Sequence, residues 1–198
     1  MPETLQQFYE KIKDCQRCAL GNTRTNLVFG VGNENADLMF VGEAPGYYED
    51  LQGEPFVGAA GQLLDRLLAS IGLKREQVYI GNVLKCRPPQ NRDPLPEEIG
   101  TCTPYLFKQI EIIKPKVVCT LGNFATRVIL GKSVSMSKVH GRIFKGKGHY
   151  IFPIYHPAAA LHMRTNLSAL EEDFLKLKEL LAKGVEPPPA EPEQMGLF

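Results

Sequence analysis

Apolar residues recur along this chain in two alternating rhythms. Leu5, Phe8, Tyr9 and Ile12 lie at helical spacing and predict an amphipathic helix over residues 3–14. The run Leu38-Met39-Phe40-Val41 is short, uninterrupted and followed by a Gly/Pro turn, which is the pattern of a buried strand. Leu63, Leu64, Leu67, Leu68 and Ile71 share one face and Gly72 stops the pattern, so residues 62–71 read as a second helix. Residues 78–83 read as a second strand. Pro96-Glu97-Glu98 then opens a helix, with acids in its first turn, that runs to 113 before Lys114-Pro115. A third strand over 116–121, a short helix over 123–130, a fourth strand over 150–155 broken by Pro153, and an amphipathic helix over 167–182 complete the pattern. Strands alternating with helices predict an α/β fold, a parallel sheet covered on both faces. Ligands bind at the carboxyl ends of such strands. Glu43, Asn82, Gly122 and His156 all fall there.

Length and charge sharpen this picture. The chain has 198 residues, enough for one domain with a real core over 1–184 and a tail over 185–198. The tail's Val-Glu-Pro-Pro-Pro-Ala-Glu-Pro-Glu stretch cannot join a helix or a sheet. The net charge of +1 conceals an asymmetry. Between Ile112 and Leu170 there is no Asp or Glu, yet the stretch holds Lys114, Lys116, Arg127, Lys132, Lys138, Arg142, Lys145, Lys147 and Arg164 and all four histidines. This stretch of the chain is thus arranged to face a polyanion. Glu3, Glu10, Lys11 and Lys13 interrupt any signal-peptide core, and no apolar run approaches the roughly 18–20 residues of a membrane span. A cytoplasmic protein that does not enter a membrane is expected, its five cysteines reduced. The chain is also expected to act as a monomer.

Four motifs carry candidate chemistry. Val41-Gly42-Glu43-Ala44-Pro45-Gly46 takes a strand into a rigid turn that can read a planar ligand through its backbone, with Glu43 aimed at the cavity. Tyr155-His156-Pro157-Ala158-Ala159-Ala160-Leu161 leaves another strand, and a neutral His156 there can donate to developing negative charge. The glycine-rich segment 52–61 lacks the Gly-Lys-Ser/Thr ending of a triphosphate loop, so Phe56 reads instead as an aromatic platform for a base. Cys15 and Cys18 form a CxxC pair which, with Cys86 and Cys102, supplies four thiolates for a zinc ion or an iron–sulfur cluster. Cys119 sits in an apolar strand and reads as core.

Taken together, these segments resemble the family-4 iron–sulfur uracil-DNA glycosylases. The resemblance runs from about Cys15 to Leu180 through the 42–46 turn, Pro-Phe-Val-Gly-Ala-Ala-Gly-Gln-Leu-Leu at 55–64, Asn-Val-Leu-Lys-Cys-Arg-Pro-Pro-Gln-Asn-Arg-Asp-Pro at 82–94, and His-Pro-Ala-Ala-Ala-Leu at 156–161. It implies a three-layer α/β/α sandwich around a four-stranded parallel sheet. It also implies a 4Fe–4S cluster on Cys15, Cys18, Cys86 and Cys102 and hydrolytic removal of uracil from DNA; a structural cluster is expected, since nothing near the four cysteines looks like an electron-transfer partner site. By the same resemblance Phe56 stacks on a flipped uracil, Asn82 pairs with O4 and N3–H, and His156 donates to O2. Gly42 to Ala44 contact the base through the backbone, Glu49 crowds a thymine methyl, and Leu161 enters the duplex as a wedge. Bond cleavage also needs a group to hold a water near C1′, and Glu43, aimed into the cavity, is the candidate. Ala44 stands where the best-known uracil glycosylases have an aspartate, so general-base help is not assured. The terminal Gln194-Met195-Gly196-Leu197-Phe198 resembles a peptide that docks on the bacterial sliding clamp.

Overall fold

A computed structural model describes residues 2–184; the expected clamp peptide lies outside the described residues. The strands are β1 (Val31–Gly32), β2 (Leu38–Gly42), β3 (Tyr79–Asn82), β4 (Val117–Leu121), β5 (Phe144–Lys145) and β6 (Tyr150–Ile154). The α-helices are α1 (Leu5–Ile12), α2 (Leu20–Thr23), α3 (Tyr47–Gln52), α4 (Ala59–Ser70), α5 (Pro96–Ile113), α6 (Gly122–Leu130), α7 (Met136–Val139), α8 (Pro157–Ala160) and α9 (Arg164–Ala182). Sheet order is β1-β3-β2-β4-β6-β5. The four expected strands form its parallel centre, β3-β2-β4-β6. The sheet extends to six because a two-residue strand adds antiparallel to each edge. Neither edge strand is long enough to show a period of two, which is why the sequence pattern missed them.

Burial on both faces explains the unbroken apolar runs. Leu38 and Phe40 of β2 pack with α4 and α9 through Leu64, Leu68, Phe174 and Leu177. Met39 and Val41, pointing the other way, pack with α1 and α5 through Leu5, Leu106 and Ile110. Phe40 and Phe174 stack with centroids 5.9 Å apart at 10°. Burying either ring contributes roughly 1.5–3 kcal/mol. Pro153 is tolerated in β6 because its carbonyl turns to the sheet edge, accepting from Gly141 N at 2.8 Å. The missing N–H therefore falls on that side rather than in the β4 ladder.

The connections place a crevice. From β2 the chain passes to β3 on one side, then crosses back to β4 on the other and on to β6. The carboxyl ends of β2 and β4 therefore flank the point where the winding reverses, where α/β sheets bind ligands.

Candidate active site and cysteine centre

β2 ends at Gly42 beside Asn82, the end of β3. Pairing continues past the strands, with Val83 N donating to Gly42 O at 2.9 Å and Leu84 N to Glu43 O at 3.0 Å. At Gly42 a Cβ would lie 2.4 Å from Asn82 Oδ1 and 2.7 Å from Phe56 Cζ. Only glycine lets these three residues meet. In front of them opens a cavity of about 420 Å³ lined by Glu43, Ala44, Glu49, Phe56, Asn82 and His156 among others. A larger recess of about 730 Å³, between α1 and the segment 24–34, contains none of these six residues.

Asn82 is almost wholly buried, 2% exposed, and its Oδ1 has no hydrogen-bond partner. An orphaned acceptor inside a protein costs free energy, about 1–3 kcal/mol, unless a ligand satisfies it. Behind it stands Lys85, fully buried, whose Nζ donates to Asn82 O at 2.7 Å and to Gln109 Oε1 at 2.6 Å. Gln109 Nε2 donates in turn to Phe29 O at 2.8 Å and Tyr79 Oη at 3.1 Å. The backbone of Asn82 is thereby fixed from below. No apolar periodicity signals Lys85; its place in the 82–94 stretch was the available hint.

Phe56 adopts a left-handed backbone, φ 56°, with its ring buried. A non-glycine residue there is strained by of order 1 kcal/mol or more, and neighbouring contacts hold it. Gly61 gives the turn room, since a Cβ on it would sit 1.7 Å from Phe56 O. Arg75 donates to Pro55 O and pairs with Asp65 of α4 at 3.1 Å. Glu49 Oε1 accepts from Val57 N at 3.2 Å and Gly58 N at 3.4 Å. An internal carboxylate thus holds the turn just ahead of α4. No local signal reveals that Glu49, one of the cavity residues, also holds the turn that leads into this helix.

His156 caps α8, its Nδ1 accepting from Ala158 N at 3.1 Å. The proton of the neutral imidazole then sits on Nε2, a donor. Burial lowers the His156 pKa to about 4, against the opposing charge of Glu49. The ring is neutral at physiological pH and stacks on Phe56 at 5.6 Å and 29°. Gly122, at φ +86°, lets the end of β4 approach it, because an added Cβ would lie 3.0 Å from His156 Cβ. Glu43 is half-buried, and burial together with Asp93 raises its carboxyl above the usual range. A second cavity of about 720 Å³, lined by Arg127 and Lys132, shares Glu43 and His156 with the first. Leu161 is outside the pocket, 41% exposed just past α8. Of the nine basic residues in the acid-free stretch, Lys116 alone forms an ion pair among the described residues, with Asp37.

The cysteines gather on the far side of β3. Cys18 packs beside Cys86 and Cys102, and the charges of Cys15 and Cys18 both bear on Cys86. Burial pushes the Cys102 thiol up to about 11. Donors are aimed at the sulfurs. Arg24 Nη1 reaches Cys86 Sγ, Lys85 N reaches Cys102 Sγ, and Tyr105 Oη meets Cys15 Sγ, each at 3.2 Å. Among the described residues no three His, Cys, Asp or Glu side chains converge as ligands of a single metal ion. A cubane cluster is a larger cage than one ion, and four cysteines, two buried and two half-buried, with N–H donors aimed at the buried pair fit its anionic sulfurs. Cys119 is fully buried in β4, as the pattern predicted.

The family model of the Uracil DNA glycosylase superfamily matches residues 29–181. The chain belongs to that superfamily. It is 50% identical over 189 residues to a type-4 uracil-DNA glycosylase of Archaeoglobus fulgidus, covering 91% of this chain and 95% of the relative. A type-4 enzyme of Sulfurisphaera tokodaii is 49% identical, covering 90% of this chain and 85% of its own length. One of Thermotoga maritima is 44% identical, covering 91% and 96%. The superfamily match spans β2, β3, β4 and β6, the strands whose ends build the cavity. It begins after Cys15 and Cys18, whereas the alignments to the type-4 relatives are longer.

Proposed function

We propose that this chain removes uracil from DNA by hydrolysing its N-glycosidic bond, leaving an abasic site. The observation that carries the reading is the unpartnered, buried Oδ1 of Asn82 facing a pocket that also holds a neutral His156. Uracil presents an N3–H donor beside an O4 acceptor, the complement of a carboxamide. Cytosine reverses both, so it would set donor against donor and acceptor against acceptor on Asn82, whose backbone Lys85 holds from below and whose Oδ1 lies close against Gly42. A base must leave the duplex to reach such a pocket, at a cost of a few kcal/mol that is smaller for a mispaired U·G. Phe56 stacks on the flipped ring, and the Glu49 carboxylate leaves no room for a 5-methyl group.

As the C1′–N1 bond breaks, its electron pair goes to the base and positive charge grows on the sugar. His156 Nε2–H donates to O2 where negative charge develops. Water attacks C1′ and gives up a proton. In the 42–46 turn Glu43 is the one ionisable side chain, Ala44 offering none, and its raised pKa makes its carboxylate a better proton acceptor. The departing uracil anion takes a proton from solvent. The nine-residue basic stretch supplies phosphate contacts and Leu161 fills the vacated stack.

Cys15, Cys18, Cys86 and Cys102 would hold the 4Fe–4S cluster, whose contribution is structural, tying the segment that follows Asn82 to α5. Gln194 to Phe198 would dock on a sliding clamp from a proline-rich tether; a pull-down with purified clamp should fail when 194–198 are removed. The protein would act as a cytoplasmic monomer. Among the described residues no helix is long and apolar enough to cross a membrane. The deciding experiment is strand scission after alkali on oligonucleotides carrying uracil, cytosine or thymine at one position. Cleavage at uracil alone is expected, and no cleavage at uracil would overturn the reading.

A further inference from the structure

Helix α3 is built inside out. One of its two acids, Asp50, is 4% exposed, whereas Tyr47, Tyr48 and Leu51 are 50%, 61% and 47% exposed. The inversion is held in place rather than loose. Asp50 Oδ1 accepts from Thr25 N at 2.9 Å and from Asn26 N at 3.3 Å, while Asn26 Nδ2 donates to the carbonyls of Asp50 and Leu51. A short helix is thus anchored by polar bonds on its inner side, presenting two aromatic rings to solvent.

The position of those rings identifies their occupant. Tyr47 follows Gly46 directly, and Gly46 and Glu49 line the base cavity. Arg87 lies over the Tyr47 ring, its guanidinium carbon 5.0 Å from the centroid, and is itself held by Asn91 Oδ1 at 2.7 Å. Asn91 also lines the cavity. Tyr47 and Tyr48 meet edge to face, centroids 5.3 Å apart at 77°, with Tyr48 the more open of the two. When a base leaves a strand, its neighbour loses a stacking partner. Aromatic rings beside a cation are the surface that replaces one, whatever the base's identity.

We infer that α3 is a stacking platform for the base next to the flipped uracil on the same strand, with Tyr47 and Tyr48 as its surface and Arg87 as its cationic backing. The inference rests on the uracil-excision reading and adds a subsite to it. It makes the enzyme hold the uracil-bearing strand by more than phosphate contacts, so a single strand can be gripped without its complement.

The test uses the full chain and a single-stranded oligonucleotide in which 2-aminopurine adjoins 2′-fluoro-2′-deoxyuridine. The fluorine withdraws electrons from the sugar, so the base stays attached. Two probes place the aminopurine on the 5′ or the 3′ side. Wild type should quench one of them. The double variant Tyr47→Ala, Tyr48→Ala should lose that quenching and bind about tenfold more weakly, with its thermal melting unchanged. The Tyr47→Phe, Tyr48→Phe variant should keep both properties, since the rings and not the hydroxyls do the stacking. Quenching and affinity that survive the alanine substitutions would overturn the platform and leave α3 as a surface for some other macromolecule. Loss of both in the phenylalanine variant would overturn it equally. A wild type that binds no uracil-bearing strand would instead refute the excision reading.

Discussion

At the scale of single residues, Asn82, His156 and Glu43 divide the proposed chemistry, and each leaves a distinct signature. Asn82→Asp replaces a donor–acceptor pair by two acceptors. Its kcat/KM on uracil should fall about 100-fold or more, with cytosine excision gained if the acid is protonated in the pocket; unchanged uracil excision would remove Asn82 from base reading. His156→Ala deletes the only donor assigned to O2 and should cost about 3 kcal/mol, some hundredfold in single-turnover rate. The pH profile separates the other two groups. Glu43 acts deprotonated, and its carboxyl is raised above 4.5, so the rate should decline as pH falls through that raised value. His156 stays neutral until about pH 4 and should add no limb near 6.5. Glu43→Gln should therefore lower the rate and abolish the acid limb; a limb that persists in this variant assigns it elsewhere. For folding the sign is the same. Below about 6.5 the unfolded chain protonates His156 while the folded one resists down to about 4, so this residue's contribution to stability declines through that window.

At the scale of elements, helices of eight residues or more were legible, α6 among them, and those of four to six residues were not. The apolar spacing of 62–71 predicted α4, but α4 starts three residues earlier, at Ala59, because Ala59, Ala60 and Gly61 are too small to mark an apolar face. The apolar pattern held no sign of α3, whose tyrosines turn outward while Asp50 turns inward. The α4 entry also carries a prediction. Gly61→Ala would place a methyl 1.7 Å from Phe56 O and must displace the strained Phe56 turn. Excision should drop at least tenfold, as expected when a base platform shifts by about an ångström, while the far-ultraviolet circular dichroism remains that of the folded protein. Full activity in this variant would mean that Phe56 does not need its present position.

At the scale of the whole molecule, the sheet separates two functions. One face of β3 carries Asn82 toward the cavity, and the chain beyond it enters the cysteine centre within four residues, at Cys86. Stability and base reading should therefore fail together. Purified protein should absorb near 400 nm, and removal of the cluster by chelation after oxidation should lower the melting temperature as well as uracil excision. Retention of both after the absorbance is lost would detach the cysteine centre from the pocket.

Much of this protein is legible in its amino-acid sequence alone. Period-two and period-3.6 patterns report burial, and burial follows from residues near one another in sequence; they were enough for the four parallel strands, the main helices and the strand ends where Glu43, Asn82 and His156 fall. The motifs at 42–46, 55–64, 82–94 and 156–161 were enough for the superfamily. What only the tertiary structure decided were polar bonds between distant segments, which leave no periodicity. Lys85 on Gln109 beneath Asn82, Gln109 on Phe29, Glu49 across the turn that holds Phe56 and the anchoring of α3 by Asp50 on Thr25 are all of this kind. Each satisfies a buried donor or acceptor that the local pattern could not pair, because its partner is chosen by how the layers meet.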